Sequence, residues 1–247
     1  MKHAKTFSAA ALLACALPVH ASTFTVNPTR IMLSAATPSA LLTVTNGGST
    51  PVRLQIKWHG WSQSPLGEMT LTATDDLIVF PTLFSLGPGE QRTVRIARAT
   101  TPATLEKTYR VFVEELPPVS DGDGTAGIRM LTRMGIPVFI QPARPVARAG
   151  LRALTLDSGR FSFRLENLGT VHFLPTEVQV HGYSGAGHPV LTRTAQGWYV
   201  LAGGLRAFDL TFDGPECADV RRLSVEVTVG DSVLSEQLQT PGGVCPG

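Results

Sequence analysis

The residues of this chain that could do chemistry are scattered, and their spacing does not fit a catalytic or metal-binding site. Ser184 follows Gly182 and Tyr183, but the segment lacks the second glycine of a nucleophile elbow. Adjacent acids such as Asp75 and Asp76 would point to opposite faces of a strand, so they cannot act as a catalytic pair. A pair of acids from two distant strands would not be recognisable from the sequence alone. Neither His-x-x-x-His nor Cys-x-x-His spacing occurs among the histidines after residue 21, which are His59, His172, His181 and His188. We therefore expect no catalysis, no metal and no cofactor.

Composition excludes several classes of partner. The net charge is +2, too small to indicate nucleic acid or an anionic membrane surface as the ligand. A phosphate-binding loop and a dinucleotide fingerprint are both missing from the sequence, so no small-molecule substrate is indicated. Gly and Pro together number 42 (24 and 18) while charged residues are 16 %, a balance typical of a turn-rich β protein. The sequence indicates a binding protein.

The N-terminus and the cysteines predict an exported protein. Residues 1–21 have a basic start, a short apolar run and small residues at the end, which is the pattern of a secretory signal peptide. A lipoprotein cut before Cys15 is the alternative. Removing the segment leaves Cys217 and Cys245, an even pair that favours a disulfide closing a loop of about 29 residues. The predicted location is therefore the periplasm.

Short alternating strands fill the remaining chain, and turn-forming clusters such as Asn46-Gly47-Gly48-Ser49 separate them. Gly87-Pro88-Gly89 predicts a hairpin turn between strands Leu83–Leu86 and Gln91–Arg98. A stiff polar break follows Pro142 and predicts a hinge between domains 22–142 and 147–247. The predicted fold class is all-β, with two immunoglobulin-like β-sandwich domains joined by this short hinge.

The segment from Ile128 to Ile140 predicts a long strand with one apolar face. Its even positions are aliphatic or Met except Thr132. Such a row either completes the core of its own domain or enters the core of another protein. The residues expected to share this face are Ile128, Met130, Thr132, Met134 and Ile136.

Several motifs occur in an order that resembles a known family, the periplasmic pilus chaperones of chaperone–usher systems. The resemblance covers nearly the whole chain after residue 21. It rests on Arg30 within Asn27-Pro28-Thr29-Arg30-Ile31, the strand–turn–strand Phe80–Ile96, the run Tyr109–Pro118 with its acidic, hydrophobic and Pro-Pro end, the long strand before Pro142, and Phe161–Gly169.

The resemblance implies a mechanism without catalysis. The long strand would be lent to a pilus subunit that lacks one strand, and the complex would be delivered to an outer-membrane usher. The family anchors the subunit's C-terminal carboxylate on two basic residues, and Arg30 matches the first. Pro137 occupies the position of the family's second, a Lys, and Gln141 that of an Arg, which suggests a divergent, archaic or spore-coat-type branch. Arg133 is our substitute for the second anchor and Arg95 the reserve, because a buried carboxylate needs compensation.

Two other classes of function compete with this interpretation. An exported two-domain β-sandwich adhesion or structural protein without chaperone activity would share the strand pattern. A hydrolase on a β scaffold would need a catalytic constellation that the sequence does not show.

Overall fold

A computed structural model describes residues 24–117, 130–212, 218–240 and 242, and every named element within them is a β-strand. The predicted signal peptide, Ile128, Cys217 and Cys245 lie outside the described residues. The strands of the first sandwich are β1 Phe24–Asn27, β2 Ile31–Leu33, β3 Ser39–Asn46, β4 Val52–Gln63, β5 Met69–Thr72, β6 Leu77–Phe80, β7 Leu83–Leu86, β8 Gln91–Arg98, β9 Lys107–Leu116 and β10 Arg133–Ile140. Those of the second are β11 Ala149–Asp157, β12 Arg160–Asn167, β13 Pro175–Tyr183, β14 Pro189–Ala195, β15 Leu205–Thr211, β16 Arg222–Val229 and β17 Ser232–Gln239.

The first sandwich has two sheets that we name by their position. The outer sheet has the order β1-β3-β8-β6, and the cleft sheet has the order β2-β10-β9-β4-β5 with β7 also paired to β4. Alternate residues of both sheets, including Leu42, Val94, Val111 and Val138, are fully buried between them. The prediction of an all-β, immunoglobulin-like fold is confirmed.

The second sandwich packs a three-stranded sheet, β11-β12-β15, against a four-stranded sheet, β14-β13-β16-β17. Its core is rich in aromatic rings, and Phe163 stacks on Phe208 with ring centroids 4.8 Å apart. Outside the named strands, Val200 forms a single antiparallel bridge with Phe173.

The segment Gly87–Gly89 does not form the predicted hairpin turn, because β7 and β8 belong to different sheets. The side chain of Asn46, fully buried, donates to the carbonyl oxygens of Leu86 and Gly87 at 3.1 and 3.0 Å. These bonds hold the chain where it crosses from the cleft sheet to the outer sheet. A local Gly-Pro-Gly signal marks a reversal of direction but carries no information about which sheet the next strand joins.

The long alternating strand is shorter than its sequence pattern suggested. Ladder pairing with β9 starts at Arg133, and Met130 to Thr132 precede the strand. Met130 is 80 % exposed, so the first part of the apolar row has no core beneath it.

Candidate functional site

The outer edge of β10 is open along most of its length. β2 pairs in parallel with Val138 to Ile140 and blocks that end of the edge. Among the described residues no strand pairs with the outer edge of Arg133–Pro137. An unpaired edge of this kind is a template for an added strand.

The hydrogen-bonding pattern shows which backbone groups the open edge offers. The amide of Glu115 donates to the carbonyl of Thr132 at 2.9 Å, so even-numbered residues of β10 bond to β9. The amides of Arg133 and Gly135 therefore point outward. Pro137 is the next residue whose nitrogen points outward, and as a proline it has no N–H to donate. At this edge position a proline therefore removes no hydrogen bond to β9. The open edge ends at Pro137, immediately before β2 begins to pair.

Two arginines flank Pro137 on the neighbouring strands. Arg110 of β9 is the direct partner of Pro137 across the antiparallel pair. Ile31 pairs with Val138 in the parallel ladder, so Arg30 lies one step earlier, beside Pro137. Strands are about 4.8 Å apart, which puts the two arginine backbones about 10 Å from each other across the end of the open edge. Arg30 is exposed.

Arg110 is a buried cation that lacks a carboxylate partner in the described part of the chain. Its side chain is 8 % exposed, its Nε has no hydrogen-bond partner there, and one Nη donates to the Gly135 carbonyl at 3.4 Å, a long distance for such a bond. The guanidinium lies 4.1 Å from the Trp61 ring and 5.9 Å from the Trp198 and Tyr199 rings. Burial lowers the pKa of Arg110, and the charge interaction with Tyr199 opposes this shift. The site can therefore accept an anion.

Arg133 is differently placed, because a carboxylate already pairs with it. Its Nε lies 2.7 Å from Glu114, and its guanidinium lies 3.8 Å from the Phe112 ring. Lys57 contacts the other oxygen of Glu114 at 2.9 Å. Arg95 lies on the outer sheet, where it donates to Ser39 at 3.0 Å, so the fold does not bring it to the end of β10.

The predicted donor row divides into an exposed part and a buried part. Ile136 is 1 % exposed and Met134 packs against the same core, so both complete their own sandwich. Met130 is exposed, and the Thr132 amide donates to a Glu115 side-chain oxygen at 3.2 Å. The side chains available to a partner within the described residues are therefore those before β10.

The second sandwich closes one side of this region. Trp61, Phe139 and Leu201 form a small core between the domains, with Tyr199 packed against it. The His172 ring stacks on Phe139 with centroids 3.6 Å apart. These contacts place the aromatic rings of the second domain over the guanidinium of Arg110.

A second junction joins the two domains through polar groups. The Glu106 side chain is fully buried and contacts His172 through Nδ1 at 2.6 Å and the backbone amide at 2.9 Å. The amide of Ala207 donates to the carbonyl of Pro65 at 2.8 Å. The cleft beside Arg110 is thus held by contacts on two sides.

Sequence reasoning missed Arg110, although a signal existed. The residue interrupts an apolar run, Tyr109-Arg110-Val111-Phe112-Val113, in a strand that is buried on both faces. A charged residue at such a position is rarely buried without a partner. Its proximity to Pro137 depends on strand register, which the sequence alone does not supply.

Comparison with known proteins supports the same interpretation. Residues 23–145 match the family model of the pili and flagellar-assembly chaperone, PapD N-terminal domain. The chain belongs to this chaperone family. The prediction made from the motif order is confirmed at the level of the family, whose members are chaperones and not enzymes.

Solved structures of PapD-type chaperones share the complete fold. A chain of the CsuC–CsuE chaperone–tip adhesion subunit pre-assembly complex of Acinetobacter baumannii, from an archaic system, matches with 18 % identity and a TM-score of 0.59, covering 87 % of this chain and 98 % of its own. The Salmonella enterica SafA pilin–SafB chaperone complex matches with 17 % identity and a TM-score of 0.60, covering 90 % and 99 %. The Pseudomonas aeruginosa CupB2 chaperone matches with 14 % identity and a TM-score of 0.54, covering 87 % and 100 %.

These identities establish the fold, and the divergent branch stays a prediction. A search of curated protein sequences finds no significant match. Within the described residues the PapD-type chain has no helix long and apolar enough to cross a membrane and no cluster of metal-binding side chains.

Proposed function

We propose that this PapD-type chaperone binds pilus subunits in the periplasm by pairing the open edge of β10 with an incomplete sheet and by holding the subunit's terminal carboxylate on Arg110 and Arg30. The subunit would then pass to an outer-membrane usher. Residues 1–21 would direct export. The observation that carries the proposal is Arg110, a buried guanidinium without a carboxylate partner in the described residues, at the end of that open edge.

The edge geometry supports one direction for a bound strand. β2 occupies the edge from Val138 onward, so a docked strand must end beside Pro137. Its terminus then lies between Arg30 and Arg110. A carboxyl end is attracted there and an amino end is repelled, so the docked strand runs parallel to β10.

Arg110 takes the role of the second anchor in this proposal, in place of Arg133. Glu114 already pairs with Arg133, so binding a carboxylate there would require breaking that pair. A carboxylate on Arg110 would instead compensate a charge that is already desolvated in the free protein. Aromatic rings exclude water from this contact, which strengthens it.

The apolar side chains before β10 would enter the groove of the subunit. Met130 is exposed in the free chaperone, and exposed apolar groups gain from burial in a partner at about 25 cal/mol per Å². Predicted neighbours on this face, such as Ile128, belong to the same row.

Capture of a subunit in the periplasm tests the proposal. The tagged chaperone is co-expressed with candidate pilus subunits and purified from the periplasmic fraction. We expect the wild type to retain the subunit and Arg110→Gln to lose it. Arg206→Gln is a matched control, because Arg206 is also a partly buried arginine whose pKa burial lowers, and it contacts the Gly67 turn instead of β10.

Two results would overturn the proposal. One is a wild-type chaperone that retains no subunit. The other is an Arg110→Gln variant that retains as much subunit as the wild type while folding normally.

A further inference from the structure

Glu114 lies between two cations on the face of the cleft sheet that carries Arg110. Its oxygens contact Lys57 at 2.9 Å and Arg133 at 2.7 Å, and its side chain is 17 % exposed. The Arg133 guanidinium also lies over the Phe112 ring. This arrangement holds the Arg133 side chain down on the sheet, close to the open edge of β10.

The cations beside the open edge therefore form two groups with different charge balance. At the end near Pro137, Arg110 has no carboxylate partner among the described residues, and Arg30 is exposed. Four residues earlier along the same strand, Arg133 is paired with Glu114, which it shares with Lys57. The two positions are about 13 Å apart, since a strand rises about 3.3 Å per residue.

Side-chain alternation cannot prevent a slip by an even number of residues, and a slip of four is the one that brings the terminus to Arg133. A one-residue slip turns every apolar side chain of a bound strand to the wrong face and is strongly disfavoured. A four-residue slip restores the same alternation and keeps the apolar row facing inward. A free cation at Arg133 would stabilise that slipped complex, because it could bind the terminal carboxylate there.

We propose that Glu114 is a specificity-determining residue that sets the register of the bound strand. By pairing with Lys57 and Arg133 it lowers the net charge of this group from +2 to +1 and occupies the donors that a carboxylate would use, so the terminus binds beside Arg110. Discrimination of this kind acts against the wrong complex, not in favour of the right one. The inference rests on the proposed function.

Photocrosslinking reads the register directly. The probe is a synthetic 14-residue peptide of alternating Val and Thr, with two N-terminal lysines for solubility and a free carboxyl terminus. The full-length chaperone carries a photoreactive benzoylphenylalanine in place of Met130, and mass spectrometry locates the crosslinked peptide residue. A terminus beside Pro137 places the crosslink about seven residues from the carboxyl end, whereas a terminus beside Arg133 places it about three residues away.

In the wild-type background we expect at least a tenfold preference for the first position. Glu114→Gln should bring the two positions to within about threefold of each other. Adding Arg133→Gln and Lys57→Gln to Glu114→Gln should restore the single register, which a merely structural role of Glu114 would not predict. Circular dichroism and peptide affinity check that each variant folds and binds.

The results separate the inference from the proposed function. Unchanged crosslinks in a folded, binding Glu114→Gln variant overturn the role of Glu114 and leave the proposed function intact. A second register in Glu114→Gln that persists in the triple variant also overturns it. Failure of the wild type to bind the peptide or any subunit overturns the proposed function itself.

Discussion

Replacing Arg110 with methionine should weaken binding without lowering stability. Methionine is similar in length, is apolar and can pack against the Trp61 ring that now lies 4.1 Å from the guanidinium. The substitution removes a desolvated charge without a carboxylate partner in the described residues, and the burial of that charge destabilises the wild-type free protein by about 1–3 kcal/mol. It also loses a cation–π contact worth about 0.5–2 kcal/mol.

The two terms nearly offset each other, so we expect the free energy of unfolding of the first domain to stay constant or rise by about 1 kcal/mol. Binding should weaken, because the carboxylate loses charge-assisted hydrogen bonds worth about 1.5–3 kcal/mol each, equivalent to tenfold or more in Kd. Urea titration measures the first quantity and isothermal calorimetry with a carboxyl-terminated strand peptide measures the second. Arg206→Met is the control for loss of an arginine elsewhere.

The reverse pattern would contradict this prediction. A loss of more than about 2 kcal/mol in the free energy of unfolding, with unchanged peptide affinity, would make Arg110 a structural residue. Cation–π packing against Trp61 would then outweigh the desolvation of the charge.

Three further predictions concern acid stability, the donor row and the thiols. The hydrogen bond from Tyr109 and the nearby Lys107 lower the pKa of Asp76, so the stabilising contribution of the Asp76 carboxylate is complete above pH ~4 and is lost as the pH falls below that. Asp76→Asn should therefore reduce the fall in melting temperature at acid pH. An unchanged fall in melting temperature would contradict this prediction. Met130→Asp should leave the melting temperature unchanged and abolish subunit capture in the co-purification assay, and retained capture would exclude Met130 from the donor row. Intact mass should show a protein beginning near Ser22 and two hydrogens lighter than the reduced chain if Cys217 and Cys245 are joined, whereas two free thiols or a lipid on Cys15 would contradict the prediction.

The fold class follows from local signals that the sequence carries in full. Alternation in segments such as Arg129–Ile140 and the turn-forming clusters between strands require no knowledge of distant residues. The crossing of the chain at Gly87–Gly89 could not be predicted in this way. It depends on the buried side chain of Asn46, about 40 residues earlier, which donates to the carbonyls of Leu86 and Gly87 at the start of the crossing.

The candidate site was only half accessible to sequence reasoning for the same reason. Arg30 carries a motif of its own, whereas its position beside Pro137 follows from the register of β2 on β10. Arg110 becomes a candidate for the second carboxylate anchor because it pairs with Pro137 across the two strands. Arg133 is a weaker candidate for that role because it is already paired with Glu114. Both facts concern pairing between strands that are distant in the chain, and a single sequence does not specify that pairing.

The central claim, that Arg110 receives a terminal carboxylate, is tested most directly by one comparison of affinities. The same strand peptide is prepared as the free acid and as the C-terminal amide, and calorimetry measures both Kd values with the wild type and with Arg110→Met. We predict that the wild type binds the acid at least tenfold more tightly than the amide and that this preference disappears in Arg110→Met. Equal binding of acid and amide by the wild type, or a preference that survives in Arg110→Met, would contradict the claim.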